Sequence, residues 1–184
     1  MRKIAIIAAT LACLAGGSNA ATLSLGSFGV GFYGNTVAVA PEATLTSFGT
    51  NFFFGGAYLD PGSFCAINGG SCNASLEIAF STAVSALSFD VGGYDPGDNV
   101  SLDIFGLGNV LLGNVGITSN VLGLNLSSFG TITRLMFNDS SSGGGYGYAN
   151  FRFDQVAAVP LPAGGLLLIG AIGGLVALRR RKAA

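Results

Sequence analysis

Between residues 22 and 153, apolar and polar positions alternate in short runs separated by turn residues. The run 22–28 sets Leu23 and Leu25 against Ser24 and Gly26, and 43–48 repeats the alternation more weakly. Phe52-Phe53-Phe54 is a continuous apolar run closed by Gly55-Gly56, and 76–80 follows. In 86–91, Leu87, Phe89 and Val91 alternate with Ser88 and Asp90; in 100–105, Val100, Leu102 and Ile104 share one face. Further runs lie at 110–112, 121–126, 132–137 and 148–153. A period of two is the signature of half-buried strands, and Gly92-Gly93-Tyr94-Asp95-Pro96-Gly97-Asp98-Asn99 is a turn on composition alone. In 132–137, Leu135 and Phe137 alternate with Met136, which leaves the inward face open there. The pattern predicts an all-β fold, an antiparallel β-sandwich of two packed sheets.

Two apolar runs at the ends break this rhythm. Arg2 and Lys3 precede an apolar stretch over 4–15, and Ser18-Asn19-Ala20 presents a small-x-small site before Ala21. That is the layout of a secretory signal peptide over 1–20, cut between Ala20 and Ala21. Lipoprotein processing at Cys13 is the alternative, and Thr10 fits it poorly. At the other end, Val159-Pro160-Leu161-Pro162-Ala163 leads into an apolar run over 164–178, closed by Arg179, Arg180, Arg181 and Lys182. An apolar segment followed by a cationic cluster is a stop-transfer pattern, because the charged heads resist crossing. Residues 159–178 give roughly 30 Å of helix, enough for a single transmembrane helix. The organisation expected is therefore a signal peptide over 1–20, a β-sandwich domain over 21–158 and a membrane-directed segment over 159–184.

The motif Val159-Pro160-Leu161-Pro162-Ala163, with its apolar run and basic tail, resembles the VPLPA-CTERM / PEP-CTERM sorting signal of Gram-negative bacteria. Val-Pro-Leu-Pro stands where many relatives have Pro-Glu-Pro, which leaves the processing enzyme open. The resemblance implies recognition by an exosortase-type membrane protease or transpeptidase, cleavage near 159–163, an inner-membrane intermediate, and a final place at the cell surface or outside the cell. An ordinary uncut anchor is the alternative. From about Thr82 to Asp154 the order of strands is similar to the jelly-roll, carbohydrate-binding-like β-sandwiches found in proteins with such signals.

Charge sharpens the picture of the middle. Of the eight basic residues only Arg134 and Arg152 lie within 21–158, while all nine carboxylates do, so the middle carries −7 against −1 for the whole chain. A domain of that sign repels nucleic acid and anionic headgroups, whereas divalent cations and neutral sugars remain compatible. Cys65 and Cys72 flank Asn68-Gly69-Gly70. In an oxidising compartment this pair reads as a disulfide pinning a tight loop. With no histidine anywhere, Cys-x6-Cys completes no zinc site, and it is not the redox spacing.

Three sets of residues carry candidate chemistry. Asp95, Asp98, Asn99 and Asp103 gather around one Gly-rich turn and offer the oxygens that a structural calcium ion takes, though Asp and Asn are also plain turn formers. Tyr146 and Tyr148, with Tyr94 and Tyr33, offer rings for stacking on a sugar, or else cap the sandwich. Catalysis is not expected: a Ser or Cys nucleophile lacks a histidine base, and mature lysines are absent. The function expected is that of an exported structural or adhesive protein of a surface or exopolysaccharide matrix. The alternative is a carbohydrate-binding module held in the periplasm by an uncut anchor.

Overall fold

The computed structural model describes residues 19–56, 59 and 62–156; the expectations for 1–18 and 157–184, the sorting motif, its helix and its basic tail included, lie outside these residues. Twelve strands follow one another: β1 (Asn19–Thr22), β2 (Gly31–Tyr33), β3 (Thr36–Val39), β4 (Ala43–Ser47), β5 (Asn51–Phe54), β6 (Phe64–Ile67), β7 (Leu76–Gly92), β8 (Val100–Phe105), β9 (Leu111–Ile117), β10 (Val121–Asn125), β11 (Ile132–Asp139) and β12 (Gly147–Gln155). Every strand pair is antiparallel, so the fold is all-β. Among the described residues no helix is long and apolar enough to cross a membrane.

The organising element is β7. Its first half pairs with β4 and β11, its second half with β12 and β10. The strands form one continuous hydrogen-bonded sheet that folds over at β7, with β3-β4-β7-β11-β8-β9 as the first sheet layer and β2-β5-β6-β12-β7-β10 as the second, and β1 lying along β12. The two meet face to face, sandwich-like: Phe137 of the first sheet lies 5.6 Å from Phe89 and 4.5 Å from Tyr148 of the second, ring centre to ring centre. Changing sheets requires a kink. Leu76, Ile78 and Phe80 point inward in the first half, Leu87, Phe89 and Val91 in the second, an odd offset that a regular strand cannot make. Ala86, at a φ of +50°, supplies the extra residue of a bulge, and the register against β12 slips by one there. The runs read at 76–80 and 86–91 are thus one bulged strand.

The expected inward faces of β8 (Val100, Leu102, Ile104) and of 86–91 are fully buried. On β11 the open question resolves to Leu135 and Phe137, with Met136 turned outward. The run 22–28 is corrected: β1 stops at Thr22, and a 3-10 turn covers Leu25–Ser27, with the Ser27 hydroxyl donating to the Ser24 carbonyl at 2.7 Å. Ser24, Gly26 and Ser27 favour that local closure over a ladder, yet Leu23 and Leu25 still enter the core. The loop reading around Cys65 is also incomplete, because Phe64–Ile67 is a strand buried on both faces between β5 and β12.

Candidate functional site

Three loops gather at one end of the sandwich: the β7–β8 turn, the β11–β12 loop, and the hairpin after β6. In the first, Asp98 and Asp95 close a turn reciprocally. The Asp98 N–H donates to the Asp95 carbonyl at 3.0 Å, and the Asp95 N–H donates to Asp98 Oδ2 at 2.9 Å. Pro96 and Gly97, the latter at a φ of +104°, occupy the central positions, where fixed and positive φ respectively are wanted.

The β11–β12 loop lies directly against this turn. The Asn99 N–H donates to Ser141 Oγ at 3.1 Å and the Asn99 amide to Ser140 Oγ at 3.2 Å, while the Ser140 N–H donates to the Asn99 carbonyl at 2.9 Å. Asp139 begins the loop; its Oδ1 accepts the Ser141 N–H at 2.8 Å, and its own N–H donates to Ser75 Oγ at 3.0 Å. Burial pushes the Asp139 carboxyl above the ordinary range, the Ser141 hydrogen bonds oppose this, and the Asp98 charge adds to the rise.

The hairpin closes the group. Cys65 and Cys72 are joined by a disulfide with Cα atoms 5.4 Å apart, as the spacing predicts. Between them Asn68 and Ser71 exchange backbone hydrogen bonds of 2.9 and 3.2 Å across Gly69 and Gly70. Both glycines have positive φ, +60° and +95°, which a two-residue turn matched to strand twist requires. Cys72 then bridges Gly145 of the neighbouring loop.

The sequence-derived calcium quartet is divided by the fold. Asp95, Asp98 and Asn99 share the turn, but Asp103 lies out along β8, its Oδ1 accepting from Asn114 at 2.6 Å and its Oδ2 from Asn138 at 2.8 Å. Among the described residues no three His, Cys, Asp or Glu side chains come together as a metal group. Asp139, which the spacing did not single out, lies opposite Val100 at the start of β8, and the Asp98 charge acts on it. Its own stretch, Asn138-Asp139-Ser140-Ser141-Ser142 before three glycines, carries the same turn chemistry and was the available signal.

The tyrosine expectation is corrected as well. Tyr146 is 0% exposed and Tyr148 2%, so neither ring offers a face to a sugar in the folded domain. Tyr148 packs among Phe64, Phe89 and Phe137, and burial, followed by the Asp139 charge, raises its hydroxyl well above the usual range. The Tyr146 hydroxyl donates to the Ile117 carbonyl at 3.1 Å and sits 3.5 Å from the Asp98 carbonyl; burial first, then the Asp98 charge, push its pKa up to about 12. Tyr94, lying 6.3 Å from Tyr146, is the ring of this cluster that reaches solvent.

The expected processing point falls at the edge of the domain. Ala20 and Ala21 belong to β1, opposite Asp154 and Phe153, and Asn19 faces Gln155. A shallow groove there is lined by Ala20, Ala21, Thr22, Ala86, Arg152 and Asp154, among others. Comparison of the chain with protein-family models, with curated proteins and with solved structures returns no match.

Proposed function

We propose that this chain is an exported structural or adhesive protein of the cell surface or extracellular matrix, processed through its C-terminal sorting signal. In this reading the jelly-roll-like β domain crosses the inner membrane behind a cleaved signal peptide. The helix over 159–178 then holds it, and an exosortase-type enzyme cuts near 159–163 and passes the domain to the surface or to exopolysaccharide. The observation that carries the reading is the order of parts in the sequence: n-region, apolar run and small-x-small site at the front, proline motif, apolar run and basic cluster at the back.

The pairing of β1 with β12 supports it. Asn19 lies opposite Gln155, so the chain enters and leaves the domain at one end, away from any need to thread the core. Cutting at Ala20 leaves Ala21 and Thr22 paired with Phe153 and Arg152, and cutting after Gln155 removes none of the twelve strands. Both processing steps are therefore tolerable to the fold. The sugar-binding alternative loses its best residues with the burial of Tyr146 and Tyr148.

Intact mass and terminal peptide mapping of the protein from its native host test the proposal. The expected product begins at Ala21 and ends near Pro162 or Ala163, with or without added mass. A product that keeps Arg179 to Ala184 overturns the sorting claim and leaves an anchored periplasmic domain.

A further inference from the structure

The β7–β8 turn carries Asp95 and Asp98, and the β11–β12 loop begins at Asp139, which lies opposite Val100; of these three carboxylates Asp98 is the one with a buried oxygen left unpartnered. Asp98 is only 4% exposed. Its Oδ2 accepts the Asp95 N–H, but Oδ1 is buried and has no hydrogen-bond donor among the described residues. That oxygen is aimed at the glycine loop, since a Cβ placed on Gly143 would lie 3.6 Å from it. A carboxylate oxygen taken out of water without a partner is costly, and a second carboxylate nearby adds repulsion. The chain's own cations do not relieve this. Among the described residues the basic side chains are Arg134 and Arg152; the first is held by Glu77 and Asn109, and the second lies on β12 opposite Thr22 and Ser88.

We propose that Asp98 and Asp139 are the carboxylate ligands of a calcium ion held between these two loops, with loop carbonyls and water completing its shell. A hard divalent cation gives the orphaned Asp98 oxygen a partner and cancels the repulsion between the two side chains in one step. Calcium fits better than magnesium, because a glycine-rich loop yields adaptable carbonyl positions rather than the near-ideal octahedron that magnesium demands. With two carboxylates the site falls in the weak range of extracellular modules, a Kd of about 10⁻⁴–10⁻³ M. The ligand set differs from the one the sequence spacing offers. Asp103 is committed to Asn114 and Asn138, and the Asn99 amide is committed to Ser140. The site does not depend on the sorting reading, since it stands on the domain alone.

Thermal unfolding of the full chain in a mild non-ionic detergent, followed by circular dichroism, tests the site. With about 10 mM CaCl2 the expected rise in Tm is about 4–8 °C, reversed by a chelator and not reproduced by MgCl2 or by NaCl of equal ionic strength. Asp139→Asn keeps an acceptor for the Ser141 N–H, so it is expected to fold, and to lose the rise; Asp98→Asn behaves alike, whereas Asp103→Asn keeps the rise. Tyrosine fluorescence is a second readout, because the chain has no tryptophan and Tyr146 sits beside Asp98. Absence of a rise, an equal rise in MgCl2 or NaCl, or a rise retained in Asp139→Asn would overturn the proposal. If Asp98→Asn does not fold, Asp139→Asn decides alone.

Discussion

Two neighbouring Gly-rich loops at the same end of the sandwich are closed in opposite ways. The hairpin between Cys65 and Cys72 is finished by the chain itself: a covalent bond, two reciprocal backbone hydrogen bonds, and two glycines already in the positive-φ region that the turn needs. Nothing in it titrates near neutral pH. The paired 95–98 and 139–145 loops are closed by hydrogen bonds to carboxylates and hydroxyls, and one carboxylate oxygen is left over inside. The first loop carries no ionisable side chain, while the second is built on carboxylates. The contrast separates residues that stabilise the domain from residues that give it something to respond with.

The largest expected effect comes where the two loops touch. A Cβ on Gly145 would overlap the Cys72 carbonyl and lie 2.9 Å from Asn73 Cα, at a φ of +74° that side chains rarely adopt. Gly145→Ala is expected to destabilise by roughly 3 kcal/mol, since backbone on both sides must move. Urea unfolding measures it, and a loss under 1 kcal/mol would mean that the loops are not locked together as described. Next in size is the bond itself. Replacing Cys65 and Cys72 together by alanine releases a short loop and is expected to cost about 2–3 kcal/mol on the chain-entropy view. The comparison predicts that this loss is the same with and without calcium; a calcium-dependent loss would couple the two loops.

A smaller effect tests whether finished carboxylates behave as finished. Asp103 has both oxygens occupied by the amides of Asn114 and Asn138, which tie β9 and β11 across β8. Asp103→Ala is expected to cost about 1–2 kcal/mol, the worth of two charge-assisted but partly solvated hydrogen bonds. That cost should not change with divalent cations. Asp90, bonded to the Gly123 N–H at 2.6 Å and to Asn150 at 2.7 Å, belongs to the same class.

Alternation made most of the strand set legible, because a strand with one buried face writes its register into the sequence directly. What it hides are the places where parity changes. Ala86 and Asn150, both at positive φ, each insert one residue, and each moves the inward set from one parity to the other. The Asn150 bulge lets Tyr148 and Phe151 both enter the core, and no period-of-two argument would have buried Tyr148 together with Phe153 on that strand. β6 is not legible from alternation, because a strand buried on both faces has none to show. The candidate site was half legible. Asp95, Asp98 and Asn99 lie together in sequence, but Asp139 reaches Asp98 only through the pairing of β11 with β8. Spacing along the chain cannot show that.

The smallest effect concerns Tyr146, a fully buried core ring whose hydroxyl end reaches the charged loops. At neutral pH, Tyr146→Phe removes the hydrogen bond to the Ile117 carbonyl and is expected to cost roughly 0.5–1 kcal/mol. Its alkaline behaviour is more informative. The folded-state pKa, pushed up to about 12, lies above the ordinary value of 10, so the folded protein holds this proton more tightly than the unfolded chain does. The stability that this provides is fully present below pH about 10 and is lost as pH rises through about 12. Wild type should therefore lose stability across that window faster than Tyr146→Phe, with the remaining slope set by Tyr148, whose hydroxyl is raised in the same direction. Equal slopes for the two proteins would show that Tyr146 is solvated in the folded state, and the loop pair would then be open to water where it is drawn closed. Because the Asp98 charge contributes to the shift, calcium at the loop pair should lower this pKa while leaving the disulfide hairpin untouched. The alkaline limb of the unfolding curve thus reads the charged loop and not its covalent neighbour.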